Sequence, residues 1–173
     1  VRNLPGVTSV GIGSILPVSG NGNTDWLRFV GKPFHGEHNE VNERDVSADY
    51  FKTLETTLIA GRYFRDDEDA SKPNVAIINQ TLARQFFPGE DPIGKKIGDT
   101  DLSPKSIKEI VGVVADIRES SLDTDVLPTA YYPINQSPDN GFFIIVRTSQ
   151  PEQLVLSSIV ATIHQIDPEI GTM

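Results

Sequence analysis

Asn74-Val-Ala-Ile-Ile-Asn-Gln-Thr-Leu-Ala-Arg-Gln-Phe-Phe-Pro-Gly89 decides the fold class. Its first six residues are a short apolar run of the kind that forms a buried strand. Immediately after it, Leu82, Ala83, Phe86 and Phe87 recur at helical spacing, Pro88 stops the helix and Gly89 completes the turn. Downstream, residues 93–97 read as a strand with its lysines outward and its isoleucines inward, residues 99–106 as a hairpin-like loop, and residues 108–117 (KEIVGVVADI) as the strongest strand in the chain. Upstream, residues 7–15 form a strand, 16–24 a loop, and 26–30 a second short strand. A polar stretch at 32–39 leads to weak alternation at 40–46 and a short helical turn at 49–54, which Ser47 is placed to cap. Towards the C-terminus, residues 129–134 and 142–148 are strands around a turn at 138–141. A helix then opens with Ser149 and Glu152 at capping-box spacing and Pro151 in its first turn. Leu154, Val155, Ser158, Ile159, Thr162, Ile163 and Ile166 trace its apolar face up to Pro168. Strands and helices interleave without strict alternation, so the fold class is α+β rather than a doubly wound sheet.

Composition narrows the function classes. The chain has 173 residues, 38% of them hydrophobic and 23% charged, enough for a packed core. Its net charge of −9 argues against nucleic-acid binding, which needs a basic footprint. The longest apolar runs, 142–146 and 110–114, are far too short to cross a bilayer, and the start does not resemble a signal peptide. The chain starts at Val1, and its one methionine is Met173, so it reads as a fragment of a longer protein. Cysteine is absent, which removes disulfides, cysteine zinc sites and thiol nucleophiles from consideration.

A search for chemistry returns no catalytic, cofactor-binding or metal-binding residues. Gly11-Ile-Gly13 runs on through Ser14-Ile-Leu-Pro17 and completes neither dinucleotide nor nucleoside-triphosphate fingerprint. Small residues where one strand crosses another backbone are the better reading. His35, Glu37, His38, Glu40 and Glu43 are metal-ligand types, but on a polar, glycine-containing stretch that reads as a solvated loop. His164 belongs at the edge of the last helix. No serine lies in a nucleophile-elbow pattern, and Asp66-Asp-Glu-Asp69 reads as a solvated turn without calcium-loop spacing. Arg62, between Gly61 and Tyr63-Phe64, is expected to lay its stem on the core and fork its guanidinium to a carboxylate.

Three segments in order carry a family resemblance. They are Val46-Ser-Ala-Asp-Tyr-Phe-Lys-Thr-Leu54 followed by Leu58-Ile-Ala-Gly-Arg-Tyr-Phe64; Val75-Ala-Ile-Ile-Asn79 through Leu82-Ala-Arg-Gln-Phe-Phe-Pro-Gly-Glu-Asp-Pro-Ile-Gly-Lys95; and Glu109-Ile-Val-Gly-Val-Val-Ala-Asp116. With Leu4-Pro-Gly-Val-Thr-Ser-Val10 at the start and Val146-Arg-Thr148 and Ile166-Asp-Pro168 near the end, the chain resembles the MacB-like periplasmic core domain of FtsX-type ABC transporter permeases over nearly its whole length.

That resemblance implies a non-catalytic domain on the extracytoplasmic (periplasmic) side of the inner membrane, between the first and second transmembrane helices of a permease. It implies two subdomains, a porter-like one from residues 1–43 plus 119–173 and an inserted Sabre-like one from 44–118. The ends would share a core that largely excludes the middle, and Val1 and Met173 would emerge on one face. The implied partners are the permease's own transmembrane helices, a second permease copy, a periplasmic adaptor and, indirectly, a cytoplasmic ATPase subunit or domain. The implied function is transmission of ATP-driven helix movement to a periplasmic substrate or partner, in efflux or lipoprotein release. The alternative is a static binding module for a peptide, lipid or lipoprotein, with loops 16–24 and 32–39 as places for a partner. No cofactor is expected.

Overall fold

The computed structural model describes residues 1–19, 22–118, 125–138 and 141–171. Ten strands form one mixed sheet: β1 (Val7–Gly13), β2 (Thr24–Trp26), β3 (Arg28–Phe29), β4 (Glu40–Val46), β5 (Leu58–Gly61), β6 (Val75–Asn79), β7 (Lys96–Gly98), β8 (Lys108–Val114), β9 (Thr129–Pro133) and β10 (Phe143–Thr148). Three helices accompany it: α1 (Tyr50–Thr53), α2 (Gln80–Phe86) and α3 (Glu152–Ile166). The order across the sheet is β10-β1-β4-β9-β6-β8-β7-β3, with β2 beside β4 and β5 beside β8.

The decisive stretch forms the strand and helix its pattern predicts. Every residue of β6 is buried, because alternate side chains feed two different cores. Ala76 and Ile78 join Leu82, Phe87, Ile97, Ile110, Ala130 and Tyr132 on one face. Val75 and Ile77 join Val46, Tyr50, Phe51, Phe64, Val114 and Tyr131 on the other. Both chain ends join the middle stretch in the first cluster, as Phe29, Val41 and Ala130 show, and the C-terminal part joins it in the second through Tyr131. The ends therefore do not enclose a core from which the middle is excluded. Met173 lies outside the described residues.

Asn79 fixes where β6 gives way to α2. Wholly buried, it accepts at Oδ1 from the N–H of Leu82 (2.9 Å) and of Thr129 (3.0 Å), and its Nδ2 donates to the Leu127 carbonyl (2.9 Å). One side chain thus caps α2 and pins the entry of β9. At the adjoining β5–β8 pair, Gly61 faces Gly112. A Cβ on Gly61 would collide with the Val111 carbonyl and one on Gly112 with the Arg62 carbonyl, and Gly61 sits at φ +72°.

Several local expectations need correction. Ser47 does not cap α1 through its side chain; the cap position is Asp49, and Ser47 Oγ instead accepts from the Ile12 N–H (2.9 Å). Ser149 does not build a capping box, since Pro151 holds the cap position and Ser149 N–H bonds the Gly6 carbonyl (2.8 Å) to close β10 onto β1. The strand expected at 26–30 breaks at buried Leu27, because β2 pairs with β4 while β3 pairs with β7. Residues 93–95 form a turn, with Lys95 N–H on the Pro92 carbonyl, so only β7 remains of that strand. Strand β5 was not anticipated. The strands around the 138–141 turn do not pair with each other: β9 lies between β4 and β6, and β10 lies on β1. Residues 139 and 140 of that turn lie outside the described residues. On α3 only Val155 is fully buried, while Leu154 and Ile166 are 67% and 81% exposed.

Asn79→Ala removes a helix cap and leaves the buried Thr129 N–H without its acceptor, while the Leu127 carbonyl keeps the Thr129 hydroxyl. The expected loss is about 2–4 kcal/mol in urea unfolding.

Candidate functional site

The glycine pair of β1 faces α1. A Cβ on Gly11 would stand 2.9 Å from Tyr50 Cα, so the strand lies directly against the helix backbone, the close approach its composition suggested. Two further ties hold α1 to the sheet margin. Ser9 Oγ donates to Thr53 Oγ1 (2.6 Å), and Thr53 Oγ1 in turn bonds the Asp49 carbonyl (2.8 Å). From β10, Arg147 Nε donates to the Thr53 carbonyl (2.9 Å), while its Nη1 lies 3.1 Å from Glu55 Oε1. Glu55 follows the helix at φ +56°, a left-handed position usually given to glycine. The first and last strands thus converge on one short helix of the middle stretch. Sequence reasoning missed this junction; the visible hint was Arg147, the sole charge in an otherwise apolar strand.

Beside α1 runs an open groove of ≈ 530 Å³ lined by Ala48, Lys52, Thr56, Tyr63, Phe64 and Arg65, among others. Its wall is shaped by the Arg62 site. Arg62 Nη2 lies 2.6 Å from Glu68 Oε1 and its Nη1 donates to the Tyr63 carbonyl (3.0 Å), while Glu68 Oε2 accepts from the Arg65 N–H (2.8 Å). Arg62 thus forks to a carboxylate. That carboxylate comes from the acidic run, correcting its reading as a wholly solvated turn: Asp66, Asp67 and Asp69 are exposed, but Glu68 is only 6% exposed. A buried acceptor held by a guanidinium and a backbone N–H closes the 62–68 loop.

The histidine-bearing stretch is spread out. His35 Nδ1 lies 3.1 Å from Glu37, whose carboxyl is held below its usual range by the His35 N–H. His38 stacks on Trp26 with ring centroids 3.6 Å apart, and Glu40 accepts from Thr24 Oγ1 (2.8 Å). Glu43 is half-buried on β4, its carboxyl pushed up by burial and by the charge of Asp25. Among the described residues no three His, Cys, Asp or Glu side chains gather to hold a metal ion. His164 sits at the end of α3, its Nε2 3.1 Å from the Ile170 carbonyl. In the loop after β1, Val18 takes φ +64° and is 53% exposed, and its N–H reaches the Arg118 carbonyl (3.2 Å). A β-branched residue in the left-handed region stores strain, and strain of this kind gathers at working surfaces. The loop at 32–39 is anchored at Lys32, whose ammonium bonds the Phe86 carbonyl and Glu90.

Solved structures share this arrangement of sheet and helices. The periplasmic region of MacB from Actinobacillus actinomycetemcomitans matches with a TM-score of 0.66 and 18% identity, covering 95% of this chain and 70% of that one. A domain of a putative permease protein from Porphyromonas gingivalis matches at 0.64 and 16% identity, over 97% and 75% of the two chains. The extracellular domain of the noncanonic ABC-type transporter YknZ from Gram-positive bacteria matches at 0.61 and 19% identity, over 90% and 73%. No curated protein matches the sequence. Residues 1–159 fit the sequence pattern of the MacB-like periplasmic core domain, and the chain belongs to that family. It is therefore an extracytoplasmic domain of a MacB/FtsX-like ABC transporter permease. No helix of the described residues is long and apolar enough to cross a membrane.

Two substitutions test the electrostatics. Arg62→Ala is expected to cost about 1–3 kcal/mol, between the values of exposed and buried pairs because the Arg side chain is one-third exposed. Urea unfolding measures it, and a double-mutant cycle with Glu68→Gln should show the two changes are not additive. For Glu43 the folded carboxyl titrates above its unfolded value, so the folded state binds more protons between the two. Stability falls as pH rises through that window, and the penalty is complete above the folded value. Glu43→Gln should therefore raise the melting temperature at pH 7, with the gain vanishing below the ordinary carboxylate value of about 4.3.

Proposed function

We propose that this domain transmits movement of its permease's transmembrane helices, driven by ATP on the cytoplasmic side, to a substrate or partner outside the membrane. The observation that carries this reading is the convergence of β1 and β10 on α1 through Ser9, Gly11 and Arg147. A displacement delivered at either end strand is passed by short hydrogen bonds into the middle stretch, whose groove and loops face outward. Mechanical coupling needs such stiff ties between the driven element and the working surface.

The two-part organisation belongs to this proposal. Residues 1–43 plus 119–173 form the driven, porter-like part, supported by the antiparallel pairing of β1 and β10. Residues 44–118 form the inserted, Sabre-like part, supported by the β5–β6–α2–β8 unit. Both parts share one sheet, so motion passes through continuous strand pairing. The partners are a second permease copy, a cytoplasmic ATPase subunit or domain and a periplasmic adaptor on the outward side, for which the strained, exposed Val18 loop is the favoured contact. The periplasmic side of the inner membrane is the proposed location, and efflux and lipoprotein release are the two transport classes that fit. The groove beside α1 favours the second reading, a static binding module for a peptide, lipid or lipoprotein.

Arg147→Gln in the assembled transporter separates the two. Under mechanical coupling, transport falls by about tenfold or more while basal ATP hydrolysis stays within about twofold. Unchanged transport with weakened ligand binding would favour the static module. The domain by itself should show no saturable ATP binding in calorimetry.

A further inference from the structure

Three carboxylates share one face of the sheet where β2 lies on β4. Asp25 of β2 stands opposite Val41, so it faces the same way as Glu43 and Asp45, which follow Val41 at alternate positions along β4. The same face carries Ala130 and Tyr132 of β9, opposite Glu43 and Asp45. Lys108 of β8 brings a cation to this side. Its ammonium lies 4.3 Å from the Tyr132 ring centroid and donates to the Ser106 carbonyl (3.3 Å). Arg44 belongs to the opposite face and donates to the Asn23 and Glu43 carbonyls. Half-buried, the Glu43 carboxylate accepts no hydrogen bond among the described residues. Burial disfavours its ionised form, as do the charges of Asp25 and Asp45, and Lys108 and Arg44 offset them in part. The Tyr132 hydroxyl is pushed well above its ordinary range by burial and by the same three acids, so it brings no charge of its own.

Strand β2 is held by little else. It is three residues long, exposed throughout, and pairs with β4 alone among the described residues. Two backbone bonds bracket it, Glu43 N–H to the Asn23 carbonyl and Leu27 N–H to the Asn39 carbonyl, each 3.0 Å. One of the two therefore starts on Glu43 itself.

We propose that Glu43 is a proton-operated latch for β2: protonated, it lets β2 close onto β4, and ionised, it repels Asp25 and loosens the strand. The closed arrangement holds the proton more tightly than the open one. Docking is therefore strongest below the ordinary carboxylate range and weakens as pH rises through the raised folded value. The loop that carries Val18 runs into β2, so acid outside the membrane fixes the far end of a surface proposed above for a partner. The latch rests on strand register and charge, and it stands whether the domain transmits motion or holds a ligand.

Amide hydrogen exchange of the chain at about pH 4.5 and about pH 7 tests it, with each rate expressed as protection relative to the intrinsic rate at that pH. The Leu27 and Glu43 amides are expected to be at least about threefold better protected in acid. The Ile110 N–H, bonded to the Lys95 carbonyl in the sheet interior, reports global opening and is not expected to share that gain. Glu43→Gln should hold the arm amides at their acid level at both pH values. Asp25→Asn, on an exposed strand, should at least halve the difference, and it tests the same repulsion if the first variant does not fold. Equal arm protection at the two pH values would overturn the proposal. So would a gain shared in full by Ile110, or one that the variants leave intact.

Discussion

The amide of Asn79 is the constraint on which the rest of the structure depends. It sits without solvent at the junction of β6, α2 and the approach to β9, and its hydrogen bonds go to α2 and to the entry of β9. An unsatisfied amide at that depth would cost several kcal/mol, so the geometry of all three elements is fixed together. Because β9 then lies between β4 and β6, the placement of Asn79 decides that the two ends of the chain and its middle build one sheet.

Much of this was legible in advance where local pattern and tertiary packing agree. The apolar strand at 75–79, the helix ending before Pro88 and the strong strand at 108–114 were all anticipated, because each satisfies its own period. The failures share a cause. Ser47 and Ser149 carry capping chemistry, yet Ser47 is engaged by Ile12 of β1 and Ser149 by Gly6 just before it, partners more than thirty residues away in each case. Glu68 is one of four consecutive acids, and only the three-dimensional return of the 62–68 loop distinguishes it from its exposed neighbours. The apolar periodicity of α3 was real, but periodicity says which residues share a face and not whether anything covers it.

The transmission proposed for this domain calls for no reactive constellation, and the features that would serve it are ties and surfaces. The junction at α1 concentrates several of them: a close backbone approach at Gly11, a hydroxyl pair at Ser9 and Thr53, and a guanidinium on the helix's last turn. Glu55 takes a conformation that a glycine would adopt at lower cost, and it supplies the carboxylate that holds Arg147 in place. Backbone strain and an ion pair are set against each other at the point where three segments meet.

Trp26, the only tryptophan, lies at the sheet margin with its indole stacked on the His38 imidazole, while the buried aromatic cluster around Phe51 contains tyrosines and phenylalanines alone. Intrinsic emission excited at the red edge of the ultraviolet therefore watches a single corner of the molecule. It tracks whether β2 stays docked on β4. The interior is silent at that wavelength. A spectroscopist following this domain by its fluorescence would be timing the fraying of one hairpin while the heart of the sheet remained dark.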